Sequence, residues 1–366
     1  MYQATNIEVL FCLFFWIIAL LIYFPSIKNT GKGLHAKYPS SNSDLFLLFS
    51  LITLYSVFEF AGGDFYHYKE FYEVIHFKGE NDGLDPIYIW LADVLPESFY
   101  LWRFVIWGLA AFIWVMLIKR LKCSVRLAGC LFFLVVFFLF VGARQALGFS
   151  ILYMGLTLIF TPHSKLEMLW GILLCLVSYF FHSTMIVYLI LALFVLLPLS
   201  KKFIVISLLL FPVIYYAFGG IIELFMTQMN IYNEASSEVI SRYLESDFRV
   251  TSNVYGVIRM VIDRAPIFIL LYYGLKDVFW KKIEIDKVYQ KFLLLAYMMI
   301  YISFLFQGRE VSSFISPRFW DASLFPLTLF LYGYFTRVKV KKYLYLSLML
   351  LIVSKLYTYM YVFYKL

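Results

Sequence analysis

The strongest constraint on the fold is an apolar run from residue 127 to residue 160 that contains one charged side chain, Arg144. A single helix over this run would be about 51 Å long at about 1.5 Å per residue, whereas a bilayer core is about 30 Å thick. The run therefore predicts two helices that break at Gly142-Ala143-Arg144. A second long run predicts another break, at His182-Ser183. One long helix in each run is the alternative, and the side on which Ser164 can be labelled distinguishes the two.

The composition restricts the class of protein. Hydrophobic residues make up 63% of the 366 positions and charged residues only 15%, too few to cover a water-soluble domain. The sequence predicts one polytopic membrane domain over residues 1–366, with Ile7–Phe24 as a retained helix. The four cysteines include no CxxC pair, so neither a disulfide framework nor a zinc site is predicted. Phosphate-loop, zinc-protease and serine-hydrolase signatures are also absent.

A spanning helix needs about 20 apolar residues, in a range of about 17 to 25. The apolar segments of this chain, several of them shorter, predict an all-α protein with about twelve transmembrane helices. These predicted spans are 7–24, 45–60, 99–118, 127–141, 146–160, 167–181, 184–198, 203–225, 257–275, 289–306, 319–335 and 343–361.

Lysine and arginine divide unequally between alternate connections. One set holds eighteen: Lys28, Lys32, Lys37, Lys119, Arg120, Lys122, Arg126, Lys165, Lys201, Lys202, Lys276, Lys281, Lys282, Lys287, Arg337, Lys339, Lys341 and Lys342. The other holds eight: Lys69, Lys78, Arg144, Arg242, Arg249, Arg309, Arg318 and Lys365. The positive-inside rule predicts that the richer set is cytoplasmic and both termini are outside. On this interpretation the net charge of +8 reflects the orientation of the chain in the membrane and does not indicate nucleic-acid binding.

Three outer loops follow from this topology, at about 61–98, 226–256 and 307–318. The first combines carboxylates such as Asp64 with aromatic residues such as Tyr66 and Tyr68. It predicts an amphipathic surface helix, and its aromatic residues form either an interface belt or a sugar-binding wall. The second carries Arg242 and Arg249 and is either a lid or a solvated linker.

Several cationic or ionisable groups fall at predicted outer helix ends: Arg144, His182, Arg309 and Arg318. Arginine at mid-bilayer costs about 2.5–3.5 kcal/mol on insertion scales, so these groups are expected at a polar cavity or at the interface. Simple alternatives stay open. Arg144 can extend to lipid headgroups, and His182 can be a hydrogen-bonded helix-end residue.

Two acidic–basic arrangements accompany these groups. Arg318 and Asp321 are three residues apart, which allows them to pair on one helix face. Asp263 and Arg264, with Arg259 one turn earlier, form either part of a site or an internal salt-bridge cluster.

Five segments occur in this order: GGDFYHYKEFY, DPIYIWLADVL, ARQALGFSILYMGLTLIF, SYFFHSTMIVYLILALFVLLPL and SPRFWDASLF. Taken together, they resemble the EpsG family of Wzy-type polysaccharide polymerases. The residues at the family's motif positions are Asp64, Tyr68, Phe71, Arg144, Gln145, Phe181, His182, Ser183, Arg318 and Phe319. Phe65 stands where the family favours tyrosine, and Asp85 replaces a glutamate before Pro86.

The resemblance implies a GT-C-like membrane glycosyltransferase that works without metal, nucleotide sugar or other cofactor. Its expected partners are lipid-linked oligosaccharide donors and acceptors and membrane lipids, with a chain-length regulator and a flippase as further candidates. The expected pyrophosphate ligands are Arg144, Arg318 and Arg309, because guanidinium offers paired donors that match phosphate oxygens. Asp64 and His182 are the candidate bases. Gln145, Tyr66, Tyr68 and Arg249 complete the predicted substrate-binding set.

Three other functions remain open at this level. A carrier of lipid-linked oligosaccharide or an exporter also needs a cationic cavity, but the charges here favour one face. A transferase that uses a polyprenyl-phosphate sugar, with Asp64 as base, adds a single sugar. An acyltransferase built around His182 yields an acylated glycan.

Overall fold

The computed structural model of the chain describes residues 6–29, 41–58, 68–70, 72–73, 86–140, 143–182, 184–196, 201–230, 254–307 and 315–365. Within these ranges the chain is helical or forms short connections, and it contains no strand. The helices are α1 (Asn6–Tyr23), α2 (Asn42–Val57), α3 (Pro86–Val94), α4 (Phe99–Arg120), α5 (Val125–Leu131), α6 (Ala143–Phe160), α7 (Lys165–Phe181), α8 (Met185–Phe194), α9 (Lys201–Asn230), α10 (Val254–Leu275), α11 (Lys287–Leu305), α12 (Ile315–Arg337) and α13 (Lys342–Lys365).

Each of the twelve predicted spans overlaps one of these helices. Three described segments are both long and apolar enough to cross a membrane: Ile7–Ile27, Phe99–Arg120 and Lys287–Leu305. Shorter apolar helices accompany them, so the all-helical prediction is confirmed while the number of spans stays a prediction. The two long apolar runs are divided between separate helices, as predicted: α5 precedes α6, and α7 precedes α8.

The hairpin of α6 and α7 shows how the sequence produces close helix packing. Ser164 begins α7 by accepting a hydrogen bond from the Glu167 amide at 3.1 Å, which satisfies one free donor of the first turn. Farther along, Gly155 and Gly171 let the two backbones approach. A Cβ at Gly155 would lie 2.7 Å from the carbonyl oxygen of Gly171. Small residues of this kind are the usual means of close packing in a membrane, where apolar side chains gain little by leaving lipid.

The segment after α5 lies in the core and departs from regular helix. It continues as a wide turn over Phe132–Val136 and a tight turn over Phe137–Leu139. Irregular turns leave carbonyl groups without their helical partners, and burial makes an unsatisfied carbonyl costly. Two indoles satisfy them: Trp16 Nε1 donates to the Phe133 carbonyl at 2.9 Å, and Trp107 Nε1 donates to that of Phe140 at 2.8 Å.

Ion pairs and hydrogen bonds bring the lysine-rich connections to one side of the bundle, here called the basic end. Arg120 at the end of α4 contacts Glu167 at the start of α7, with Nη2 2.6 Å from Oε2. The Tyr289 hydroxyl at the start of α11 donates to the Leu121 carbonyl at 2.8 Å. Arg337 at the end of α12 lies 3.9 Å from Asp286. This arrangement agrees with alternate crossing of the bundle by successive helices.

The other side is here called the opposite end. Several of its helices differ in extent from the predicted spans. Helix α12 begins at Ile315, so Arg318 lies in its first turns and not in the loop 307–318. Helix α9 continues to Asn230 and α10 begins at Val254, which shortens the predicted loop 226–256 at both ends. The short helix α3 lies within the predicted loop 61–98.

Candidate functional site at the opposite end

Four predicted site residues lie outside the described residues: Asp64, Tyr66, Arg249 and Arg309. Arg144 lies at the second position of α6, but the structure does not describe its side chain. The roles of all five residues stay predictions. The structure describes the remaining predicted residues, which are Gln145, His182, Arg318 and Tyr68.

His182 ends α7 and packs on the first turns of α6. Its backbone is extended, and its amide donates to the Ser178 carbonyl at 3.1 Å. A Cβ at Gly148 would lie 3.3 Å from the Cβ of His182, so glycine at this position permits the close approach. The imidazole is half-buried, with Nδ1 enclosed. Half-buried Gln145 lies three residues before Gly148 and therefore on the same face of α6.

An aromatic contact joins this region to Arg318. The ring of Tyr188 on α8 lies 5.1 Å from that of Phe149 on α6 and 5.7 Å from that of Phe319 on α12. The Tyr188 hydroxyl donates to the Arg318 carbonyl at 3.5 Å. Arg318 itself is exposed. Helices α6, α8 and α12, which carry predicted functional residues or adjoin them, therefore meet at this end.

Tyr68 belongs to a packed aromatic group. It is buried, and its ring lies 6.3 Å from that of Trp102 and 6.1 Å from that of Trp107 on α4. Neighbouring Tyr72 is also buried and lies 5.8 Å from Trp102. These two tyrosines pack inside the protein. Their packing favours neither of the predicted roles, the interface belt or the sugar-binding wall, for these particular rings.

A fully buried arginine near this group was not among the predicted site residues. Arg103 on α4 donates from Nε to the Val57 carbonyl at 3.0 Å and from Nη2 to the Ser56 carbonyl at 2.5 Å. Its guanidinium carbon lies 4.3 Å from the Trp107 ring centroid. Arg103 thus fixes the end of α2, from which the chain leaves toward Asp64. The sequence contained a signal that could have identified this residue, since Arg103 is the one charged residue between Phe99 and Ile118.

A second group of charges lies between α10, α12 and α13. Arg264 Nη1 donates to Gln307 Oε1 at 3.4 Å, and its guanidinium carbon lies 4.9 Å from the Trp320 ring centroid. Arg318, Lys355 and Arg264 are near enough to Asp321 to act on it electrostatically. Arg318 and Asp321 both lie on α12, so the three-residue spacing that allows pairing is kept, and the pairing itself stays a prediction. Lys355 was missed, although a lysine inside the apolar segment 343–361 is a signal for function.

The described residues include no group of three or more His, Cys, Asp and Glu side chains that could hold a metal ion. The expectation that the reaction needs no cofactor stays a prediction.

Comparison with known proteins identifies the family but no individual relative. No curated protein and no solved structure matches the chain. The sequence profile of the EpsG family matches residues 44–365, which is nearly the whole chain. Members of this family are Wzy-type polysaccharide polymerase-like proteins, and the apolar helices agree with a membrane-embedded member. The chain therefore belongs to the EpsG family.

Proposed function

We propose that this protein joins polyprenyl-pyrophosphate-linked oligosaccharide repeat units into a surface polysaccharide at the outer face of a bacterial plasma membrane. The observation that carries the proposal is the convergence at the opposite end. His182 packs against α6 at Gly148, and the hydroxyl of Tyr188 on α8 donates a hydrogen bond to the Arg318 carbonyl. Arg144 begins the same α6. Family membership supports the polymerase-like class, and a GT-C-like architecture with about twelve spans is part of the proposal.

In the proposed reaction, a hydroxyl at the non-reducing end of the acceptor unit attacks the anomeric carbon of the donor glycan. The bond between that carbon and the pyrophosphate oxygen breaks, and the departing polyprenyl pyrophosphate keeps the electron pair. The hydroxyl proton passes to a base, for which Asp64 and His182 are the candidates. Arg144, Arg318 and Arg309 stabilise the charge that develops on the pyrophosphate.

The opposite end suits this chemistry because the exposed Arg318 and the half-buried His182 both lie there. A guanidinium offers paired donors that match phosphate oxygens. The close approach of His182 to Gly148 places this residue beside the face of α6 on which Gln145 also lies. Held in that geometry, His182 can act as the base or, when protonated, as a further phosphate ligand.

The test is reconstitution of the purified protein with its lipid-linked repeat unit, with products separated on a gel. A ladder from the wild type that Arg144→Ala abolishes supports both the polymerase and the role of Arg144. A single added sugar indicates the transferase alternative. No product from a folded protein with its own repeat unit contradicts the proposal and favours the carrier. A ladder that is equal in both proteins removes Arg144 from the mechanism.

A further inference from the structure

A group of lysines and tyrosines lies at the basic end, where the end of α10 meets the start of α13. The Tyr273 and Tyr343 rings stack with their centroids 3.8 Å apart and an interplanar angle of 18°. Lys276 Nζ lies 6.0 Å from the Tyr273 ring centroid, and Lys341 Nζ lies 5.9 Å from that of Tyr343. Two lysines from distant parts of the sequence are therefore joined through one pair of rings. We call these four residues the lysine–tyrosine patch.

The turn after α10 fixes the position of Lys276. It is a wide turn over Lys276–Trp280, and the Lys281 amide donates to the Lys276 carbonyl at 3.0 Å. The Ile283 amide also donates to the Asp277 carbonyl at 3.0 Å, so the chain reverses directly after the turn. Wide turns of this kind are rare and frequently occur at functional sites.

The buried carboxylate beside the patch, Asp277, is satisfied by its own partners. Lys281 Nζ lies 2.8 Å from Asp277 Oδ1, and the Tyr334 hydroxyl donates to Oδ2 at 2.6 Å. Lys341 also acts electrostatically on this carboxylate. Within the described part of the chain, however, neither Lys276 nor Lys341 forms an ion pair with a carboxylate. Because Lys281 offsets the charge of Asp277, the patch keeps two positive charges for an anion.

Exposed aromatic side chains place the patch at the level of a membrane surface. The side chain of Tyr272 is 56% exposed and that of Trp280 is 48% exposed. Lys276 Nζ lies 5.5 Å from the Tyr272 ring centroid, so one of these rings adjoins the patch directly. Tyrosine and tryptophan concentrate at membrane–water interfaces because their rings combine an apolar body with a polar tip. Lysines at the same level attract anionic lipid headgroups.

We propose that the lysine–tyrosine patch binds the phosphate headgroup of an anionic phospholipid in the leaflet at the basic end. Lys276 and Lys341 supply the positive charge, and the stacked rings hold both lysines by cation–π attraction. The exposed rings of Tyr272 and Trp280 contact the upper part of the lipid chains. These rings favour a lipid over a soluble anion, which would leave them in water. The site lies away from the proposed reaction and does not depend on the proposed function.

The two lysines are expected to contribute separately to the affinity. Loss of one positive charge at a membrane surface weakens the attraction of an anionic headgroup about fivefold, so Lys276→Gln and Lys341→Gln should each have this effect. The double variant should bind about 25-fold more weakly if the two effects add. Lys276→Arg keeps the charge and the ring contact, so its affinity should lie within about twofold of wild type.

The experiment uses the full chain purified in detergent, with native mass spectrometry to measure the dissociation constant of dioleoyl phosphatidylglycerol. Dioleoyl phosphatidylcholine is the comparison lipid without net charge, and inorganic phosphate is the soluble competitor. Two control variants each remove one lysine charge at the basic end outside the patch. Lys291→Gln matches Lys276, because both lysines are half-buried, and Lys165→Gln matches the exposed Lys341. Lys291 lies instead over the Phe160 ring, 4.6 Å from its centroid.

Thermal unfolding separates lipid binding from a purely structural role. A ligand that binds the folded state stabilises it, so phosphatidylglycerol should raise the melting temperature of the wild type. The variant Lys276→Gln/Lys341→Gln should match wild type in phosphatidylcholine alone and lose most of this rise. A lower melting temperature in phosphatidylcholine with an unchanged rise on adding phosphatidylglycerol would show that the lysines only hold the helices together, and it overturns the proposal.

We expect weaker binding of phosphatidylglycerol by both single variants, a further loss in the double variant and wild-type affinity in the two controls. Equal affinity of the wild type for the two phospholipids overturns the proposal. Equal weakening by the control variants also overturns it, because binding would then follow the total charge of the basic end. Displacement of phosphatidylglycerol by inorganic phosphate assigns the site to a free anion and overturns the assignment to a lipid.

Discussion

The two ends of the bundle use the same charged residue types in different ways. At the basic end, cations and carboxylates form local pairs. Arg120 lies 2.6 Å from Glu167, Lys281 lies 2.8 Å from Asp277, and Arg126 lies 3.6 Å from Asp44. Between α10, α12 and α13, Arg264 donates to Gln307 Oε1 at 3.4 Å and lies over the Trp320 ring, and Asp263 accepts a hydrogen bond from Ser354. The pairs of the basic end fix helix ends, whereas Arg264 and Asp263 join helices through neutral and aromatic partners.

Arg103 adds a third use of charge. It is fully buried near the opposite end, yet it binds two backbone carbonyls and stacks on Trp107. Its hydrogen bonds satisfy the carbonyl groups at the end of α2. The ion pairs of the basic end likewise hold the ends of their helices in place. Location at the opposite end is therefore not enough to assign a residue to substrate. Arg103 differs from Arg318, His182 and Gln145 in being fully buried, whereas those three are exposed or half-buried.

The largest effect is expected for His182→Ala. Loss of the imidazole removes a base or a phosphate ligand, and general acid–base groups contribute about 10²- to 10⁴-fold to rates. We expect polymerisation at least about 100-fold slower, with an unchanged melting temperature in detergent. The polymerisation rate per folded protein is the measurement. Near-normal activity would show that His182 only ends α7, and it would contradict a functional difference between the two ends of the bundle.

Arg103→Met is expected to give the largest loss of stability. The substitution keeps most of the side-chain volume but leaves the carbonyls of Ser56 and Val57 without their charged donor. Each such bond contributes about 1.5–3 kcal/mol, so the free energy of unfolding should fall by about 2–3 kcal/mol after loss of the buried charge is considered. Thermal unfolding of the purified protein measures this. A melting temperature equal to wild type would show that Arg103 is not a structural anchor.

Arg120→Ala tests whether the ion pair between Arg120 and Glu167 at the basic end is purely structural. It removes the Glu167 pair and a hydrogen bond of 2.7 Å to the Thr161 carbonyl, both of which hold the α6–α7 turn. Because this pair is partly exposed, the fall in melting temperature should be less than about half that of Arg103→Met. Activity per folded protein should be unchanged. A selective loss of activity would show that the basic end takes part in the reaction.

The smallest effect is expected for Arg337→Gln. Arg337 and Asp286 are 3.9 Å apart, and their side chains are 61% and 67% exposed. Exposed pairs of this kind contribute about 0–1 kcal/mol and are screened by salt. The melting temperature and the polymerisation rate should both match wild type within error. A clear change in either would mean that the pair has a role beyond its contact.

The sequence predicted the positions of most helices because apolar runs and their interruptions are local properties. It also placed Arg318 and Asp321 three residues apart on one helix, and their pairing stays a prediction. It did not predict that Arg264 lies over Trp320 or that Asp263 accepts a hydrogen bond from Ser354, because the packing of α10 against α12 and α13 depends on long-range contacts. The contact between His182 and Gly148 was not predicted for the same reason, because it depends on the packing of two helices. Arg103 was visible as a charge in an apolar span, but its carbonyl partners on α2 were not.

The start of α12 is an instructive difference. The predicted loop ended at residue 318 because the polar residues there interrupt the apolar run, whereas the helix begins at Ile315. A polar residue can occupy the first turns of a helix that faces other charged groups, so apolarity underestimates the length of such a helix. Helix α10 likewise begins at Val254, three residues before the predicted span 257–275.

The most direct test of the division between the two ends compares Arg318→Ala with Arg120→Ala in the reconstituted polymerisation reaction. The rate of polyprenyl pyrophosphate release per folded protein is measured for both variants and for wild type. We predict a loss of at least about 100-fold in Arg318→Ala, the size seen when a preorganised charge-stabilising donor is removed, and a wild-type rate in Arg120→Ala. Equal rates in the two variants, or a loss confined to Arg120→Ala, would contradict the account.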